Sequence, residues 1–169
     1  MLSPVAAELI HHAVLRMSEN TPRIAKCMQE LTEEEVWQRP NASSNSIGNL
    51  ILHLCGNITQ YIISSLGGKD DLRVRDEEFA AVGGYTRAQL ISKLEGTVSE
   101  AIQIMKNATE EELLKQRPVQ AYNFSGIGNI IHVVEHYSYH TGQIAFWTKL
   151  LKNKDLGFYA GVDLNKKGK

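Results

Sequence analysis

Only two cysteines occur among the 169 residues, Cys27 and Cys55. Both sit among apolar residues at helical spacing and neither belongs to a CxxC pair. That argues against a disulfide framework or a thiolate metal site, and for a reducing interior. Charge of one sign is also missing: the formal net charge is −1, with acidic and basic residues spread along the chain. No electrostatic footprint points to nucleic acid or an anionic membrane as a partner. The one basic run, Lys166, Lys167 and Lys169, reads as a solvated tail. No window approaches the roughly 18 apolar residues needed to span a bilayer. The start Met1-Leu2-Ser3-Pro4 lacks the basic, apolar and cleavage regions of a signal peptide, so the expected location is cytoplasmic. Serine nucleophile elbows, Walker loops and Rossmann glycine fingerprints are absent, and Gly67-Gly68 and Gly83-Gly84 are isolated pairs with nothing to mark a phosphate cradle. No segment shows convincing strand alternation.

What remains is helical. With 43% hydrophobic and 22% charged residues, residues 1–169 suit one domain with a core large enough to be stable without cross-links. Ser3-Pro4 marks a helix start. Val5, Leu9, Ile10, Val14 and Met17 keep helical spacing, continued by Ile24, Cys27, Met28 and Leu31 beyond Pro22, where a kink or interruption is expected. The stretch 32-TEEEVWQRPN-41 opens with a capping box and stops at proline, predicting one short helical turn and then a loop. A second helix begins near Asn45 or Ser46 and ends at Gly67-Gly68. A connector, 69-KDDLRVRDEEFAAVGG-84, shows no sustained helical pattern and is long enough to suspect a function for it. Thr86 caps a third helix. The stretch 109-TEEELLKQRP-118 then repeats 32-TEEEVWQRP-40 almost residue for residue. A fourth helix runs from near Ser125 through Leu151, its 127-IGN-129 echoing 47-IGN-49. The predicted fold is all-α, a four-helix bundle of two pseudo-repeated helical hairpins.

Two polar stripes interrupt these apolar helices. At about 100° per residue, Asn129, His132, His136, His140 and Gln143 share an arc of about 80° on the fourth helix. Asn49, His53, Asn57 and Gln60 share a similar arc, also of about 80°, on the second. The rest of the fourth helix is dominated by residues such as Ile131, Val134, Phe146, Trp147 and Leu150, which suggests protein on most sides. Buried imidazoles and amides without partners cost roughly 1–3 kcal/mol each, so the stripes need a common explanation. One histidine from one helix and a His-x3-His pair from another can make a three-nitrogen site open to water or substrate, the catalytic rather than the structural pattern. The alternative is a set of satisfied core histidines. His132 can be a fourth ligand, a proton shuttle or a core residue. His11 and His12 are adjacent and point in different directions, so one should face solvent. The acidic runs 33–35 and 110–112 lie in first turns, where the helix dipole explains them. Tyr137 and Tyr139 read as packing residues and Glu135 as a surface or interhelix group. Arg73 and Arg75 are either clamps for a substrate carboxylate or solvated charges.

Taken together, 45-NSIGNLILHLCGN-57 and 132-HVVEHYSYHTGQI-144 resemble the DinB/YfiT-like metalloprotein superfamily. The likeness covers nearly the whole chain, including 37-WQRPN-41, 75-RDEEF-79 and 155-DLGFY-159. It implies a four-helix bundle, frequent homodimers, and a divalent metal, usually nickel or zinc, whose three histidines carry over onto His53, His136 and His140. It also implies thiol-dependent chemistry: S-transfer with a low-molecular-weight thiol such as bacillithiol onto an electrophile, or a mycothiol-dependent isomerisation. Asn57, Gln143 and His132 are then the candidates for orienting substrate or supporting the ligands. A non-catalytic metal-binding or stress-response bundle and a metal-free dimerisation module stand as alternatives.

Overall fold

A computed structural model describes residues 2–168. Helix α1 spans Pro4–Glu30 and is capped by the Ser3 hydroxyl, which accepts from the Ala6 amide. It passes unbroken through Pro22, so the expected interruption does not occur. Ile10, Met17, Ile24 and Met28 keep one face of α1 buried on both sides of the proline. Packing of α1 against the third and last long helices outweighs a local penalty of about 3 kcal/mol. A capping box between Thr32 and Glu35 opens the short helix α2, Glu33–Trp37.

Helix α3, Ile47–Ile58, starts at a second capping box, Ser46 with Asn49. It continues into a π-helical segment, Thr59–Leu66. Every residue of α3 except Gly56 is buried, so its polar side chains must find partners inside the protein. The connector contains a helix the sequence pattern does not reveal, α4, Arg75–Ala80. Helix α5, Arg87–Asn107, follows a Thr86 capping box, and α6, Glu110–Leu114, follows a Thr109 box. Two four-residue strands come next, β1 Gln116–Val119 and β2 Tyr122–Ser125, paired antiparallel with Val119 opposite Tyr122. An all-α reading therefore needs correction: the chain is mostly helical with one small hairpin. Strands of this length cannot display enough alternation to be recognised. Helix α7, Gly126–Lys152, ends at Asn153 in the left-handed conformation.

The four long helices share one core. Helix α1 packs on α5 and α7, and α3 packs on the same two. Met17, Ile24, Ile51, Leu54, Leu90 and Ile144 are among its almost fully buried members, each contributing about 1.5–3 kcal/mol by leaving water. The helix α7 is less enclosed than its composition suggests: Ile131, Tyr139, Phe146 and Leu150 are exposed. An apolar stripe reads the same in sequence whether or not its own chain covers it. No helix among the described residues is long and apolar enough to cross a membrane.

Candidate metal centre

The buried face of α3 and the inner face of α7 bring three histidines together. Ring nitrogens of His53, His136 and His140 all lie within 4.8 Å of one another. His53 and His136 meet through their Nε2 atoms at 2.8 Å. His53 and His140 are buried and His136 is half-buried.

The outer nitrogens of two of these rings are already engaged. His140 Nδ1 lies 2.7 Å from Gln143 Oε1, an oxygen that can only accept, so Nδ1 carries the proton and Nε2 keeps its lone pair. His53 Nδ1 lies 2.9 Å from Glu78 Oε2, so there too Nδ1 carries the proton. Burial first, and then the charges the neighbouring imidazoles would carry, push His136 down to about 3. Burial pushes His140 down to about 4, against the opposing effect of Gln143. Both rings are therefore neutral at pH 7 and able to donate lone pairs. Three ring nitrogens within 4.8 Å of one another are a donor set of the kind that holds a divalent ion, with bonds of roughly 2.0–2.1 Å to zinc.

Glu78 reaches the site from α4, and the sequence reading did not single it out. Burial tends to raise its pKa, but hydrogen bonds from Arg73 and His53 outweigh this and hold the carboxyl below its ordinary value. Arg73 grips it with Nε to Oε1 at 2.7 Å and Nη2 to Oε2 at 2.9 Å. The arginine side chain is only 3% exposed, so Arg73 is neither a solvated charge nor free for substrate. It clamps a carboxylate of its own chain. Arg75 instead lies over the Phe79 ring, 4.7 Å from its centre. One sequence signal pointed here, the suspicious length of the connector.

The other stripe residues take up different duties. Asn49 Nδ2 donates to the carbonyls of Glu78 and Ala81 at 2.9 and 2.7 Å, anchoring the end of α4. Gln60 accepts from Arg73 Nη1 at 2.8 Å and donates to Asp71 at 2.7 Å. Asn129 donates to Ser65 Oγ at 2.9 Å. His132 stands beside the cluster: its ring stacks on Tyr61 at 4.1 Å and runs nearly parallel to His136 at 5.5 Å. Its Nε2 is 3.1 Å from Asn57 Nδ2, and the buried Asn57 Oδ1 has no hydrogen-bond partner among the described residues. Tyr137 packs inside, bonded to Thr21 at 2.8 Å, whereas Tyr139 lies on the surface. His11 and His12 are both exposed and are not members of the cluster.

The helical fold is shared with solved structures described as DinB-like. The chain belongs to the family described as "Protein of unknown function (DUF1572)", whose model matches residues 4–160. Solved structures share the fold. A conserved protein of Enterococcus faecalis superposes with a TM-score of 0.73 at 16% identity, covering 85% of this chain and 97% of that one. A DinB-like protein of Bacillus subtilis, YjoA, gives 0.66 at 13% identity, with 85% and 94% covered. A DinB-like protein of Bacillus cereus gives 0.60 at 15% identity, with 79% and 87% covered. No curated protein sequence matches the chain.

Proposed function

We propose that this protein binds a divalent cation, nickel or zinc, through His53, His136 and His140, and uses it as a cytoplasmic S-transferase for a low-molecular-weight thiol of the bacillithiol type. The carrying observation is the convergence of three ring nitrogens within 4.8 Å, with the Nδ1 atoms of His53 and His140 already committed to Glu78 and Gln143. A bound cation would supply Lewis acidity, lowering the pKa of a thiol or water beside it. The chain's own groups orient the rings. Asn57 Oδ1, buried without a donor, offers an acceptor to a ligand next to His132. The thiol chemistry rests on the superfamily likeness.

Two architectural readings belong with this proposal. The recurring capping boxes Thr32–Glu35 and Thr109–Glu112, each preceding a longer helix, support a four-helix bundle built from a duplicated hairpin. A groove of about 900 Å³ between α1 and α7, lined by Val5, Leu9, Ile130, Ile131 and Val134, supports a homodimer packed through that face. The Nε2 to Nε2 contact of His53 and His136 favours one alternative, a metal-free dimerisation module, because it satisfies the two rings without an ion.

Metal analysis separates these readings. Protein purified without chelator should carry or take up about one equivalent of zinc or nickel per chain, and His136→Ala should lose it. No uptake would remove the metal reading. The loaded protein, given bacillithiol and a chlorinated dinitrobenzene, should turn over; inactivity across a thiol panel would leave a non-catalytic metal-binding bundle.

A further inference from the structure

We propose that Glu78, aligned by Arg73, is the positioning residue of the metal centre, holding His53 as the Nδ1–H tautomer so that its Nε2 lone pair faces the cation. The inference rests on the metal reading above and adds to it a residue from the connector.

The tautomer follows from hydrogen-bond chemistry. An ionised carboxylate has no proton to give, so the 2.9 Å contact between Glu78 Oε2 and His53 Nδ1 is attractive only if Nδ1 is the donor. A competing arrangement would have Arg73 Nη2, 3.2 Å from the same nitrogen, donate to it. That contact is longer than the 2.9 Å from Nη2 to Glu78 Oε2, and the second arm, Nε to Oε1 at 2.7 Å, fixes the guanidinium against the carboxylate. Partners of this kind set ring orientation and raise ligand basicity.

Glu78 is held at both its backbone and its carboxylate. Asn49 holds the Glu78 carbonyl, Arg73 forks onto both oxygens, and His53 takes one of them. At Gly56 a Cβ atom would fall 1.9 Å from Oε1, so the space the carboxylate occupies exists only because that residue has no side chain. A buried ion pair is weak grounds for stability, since desolvation offsets much of its attraction. A carboxylate held by Arg73 on both oxygens and placed against one imidazole nitrogen points instead to orientation of a ligand.

The test uses the full chain with two variants, Glu78→Gln and the charge-free pair Arg73→Met with Glu78→Leu, which leaves no buried charge unpaired and retains the fold if Glu78→Gln does not. Imidazole tautomers of the metal-free protein are read from long-range nitrogen–proton NMR, and zinc affinity from competition with a chromophoric chelator. The wild type should show His53 as Nδ1–H. The charge-free pair should swing it toward Nε2–H and weaken zinc about 10–100-fold, the range expected for such partners. An Nε2–H tautomer in the wild type, or wild-type affinity in the charge-free pair, overturns the assignment while leaving the metal site standing. Absence of zinc binding by the wild type itself overturns both.

Discussion

Nε2 of His53 and Nε2 of His136 face each other at 2.8 Å, so one ring's N–H donates a hydrogen bond to the other's lone pair and the pair cannot carry two positive charges at this distance. Burial pushes His136 down to about 3 and His140 down to about 4, so these two rings are neutral bases in the folded protein, with a measurable consequence even without metal.

In the unfolded chain His136 and His140 take up protons near pH 6.5. In the folded protein they do so only near 3 and 4 respectively. Between these limits the unfolded state binds more protons, so the stability of the metal-free protein falls as pH drops below about 6.5 and continues to fall until about 3. The depressed Glu78 acts lower down: its contribution is present above the ordinary carboxylate value and is lost as pH falls through its folded one. A decline between pH 6.5 and 5 therefore belongs to the imidazoles. Urea midpoints across this range should decrease in the wild type and flatten in a His136→Ala, His140→Ala double variant; parallel slopes would contradict neutral burial.

Gly56→Ala should disturb the centre without touching any histidine. The added methyl would press on Glu78 Oε1 and on Arg73 Nε, 1.9 and 2.8 Å away. Overpacking of this kind costs about 1–3 kcal/mol, and the shift is transmitted to His53 through Glu78. Calorimetry and zinc titration should both register the change, with a lower Tm and weaker binding. Wild-type values in both would mean that the carboxylate relocates freely.

A second close approach lies away from the site. A Cβ at Gly48 would meet ring carbons of Trp37 at 2.8 Å, and the Trp37 Nε1 donates to the Tyr85 carbonyl at 3.2 Å. Gly48→Ala should push the indole outward and cost about 1–3 kcal/mol, or roughly 2–4 °C in Tm per kcal/mol for a chain of this size. In a Trp147→Phe background, where Trp37 is the sole indole, its fluorescence should move to the red. An unshifted spectrum with an unchanged Tm would refute the contact.

Local signals carried the helices and part of the site. Ser3, Thr32, Thr86, Thr109 and Ser125 each cap the helix they precede, because capping depends on residues three positions apart. The arcs placed His53, His136 and His140 on facing stripes for the same reason: helical spacing is local. Glu78 was invisible because its partner lies 25 residues away and no spacing rule links a connector glutamate to a helix histidine. Gln60 and Asn49 were grouped correctly with His53 by angle, yet they bind the connector, since an arc gives a direction and not a partner. Arg73 reads in sequence as either a clamp for a substrate carboxylate or a solvated charge; that it grips an internal carboxylate depends on how the connector folds back. The hairpin escaped because its turn holds Gln120 at φ 51°, a conformation that glutamine does not advertise.

That turn supplies the last test. Tyr61 Oη donates to Gln120 Oε1 at 2.8 Å, tying the hairpin to the π-helical segment. The Tyr61 ring meanwhile stacks on His132. Tyr61→Phe keeps the stacked ring and removes only the hydroxyl. It should cost about 0.5–1.5 kcal/mol, the usual net value of one hydrogen bond. Because a non-glycine residue with positive φ depends on its surroundings to stay there, the loss should be felt first at the turn. Amide exchange of residues 116–125 should accelerate more than that of α3 or α7, and zinc affinity should stay unchanged because no metal-facing nitrogen is affected. Uniform acceleration across the chain would instead mean that Tyr61 supports the core as a whole and not the hairpin.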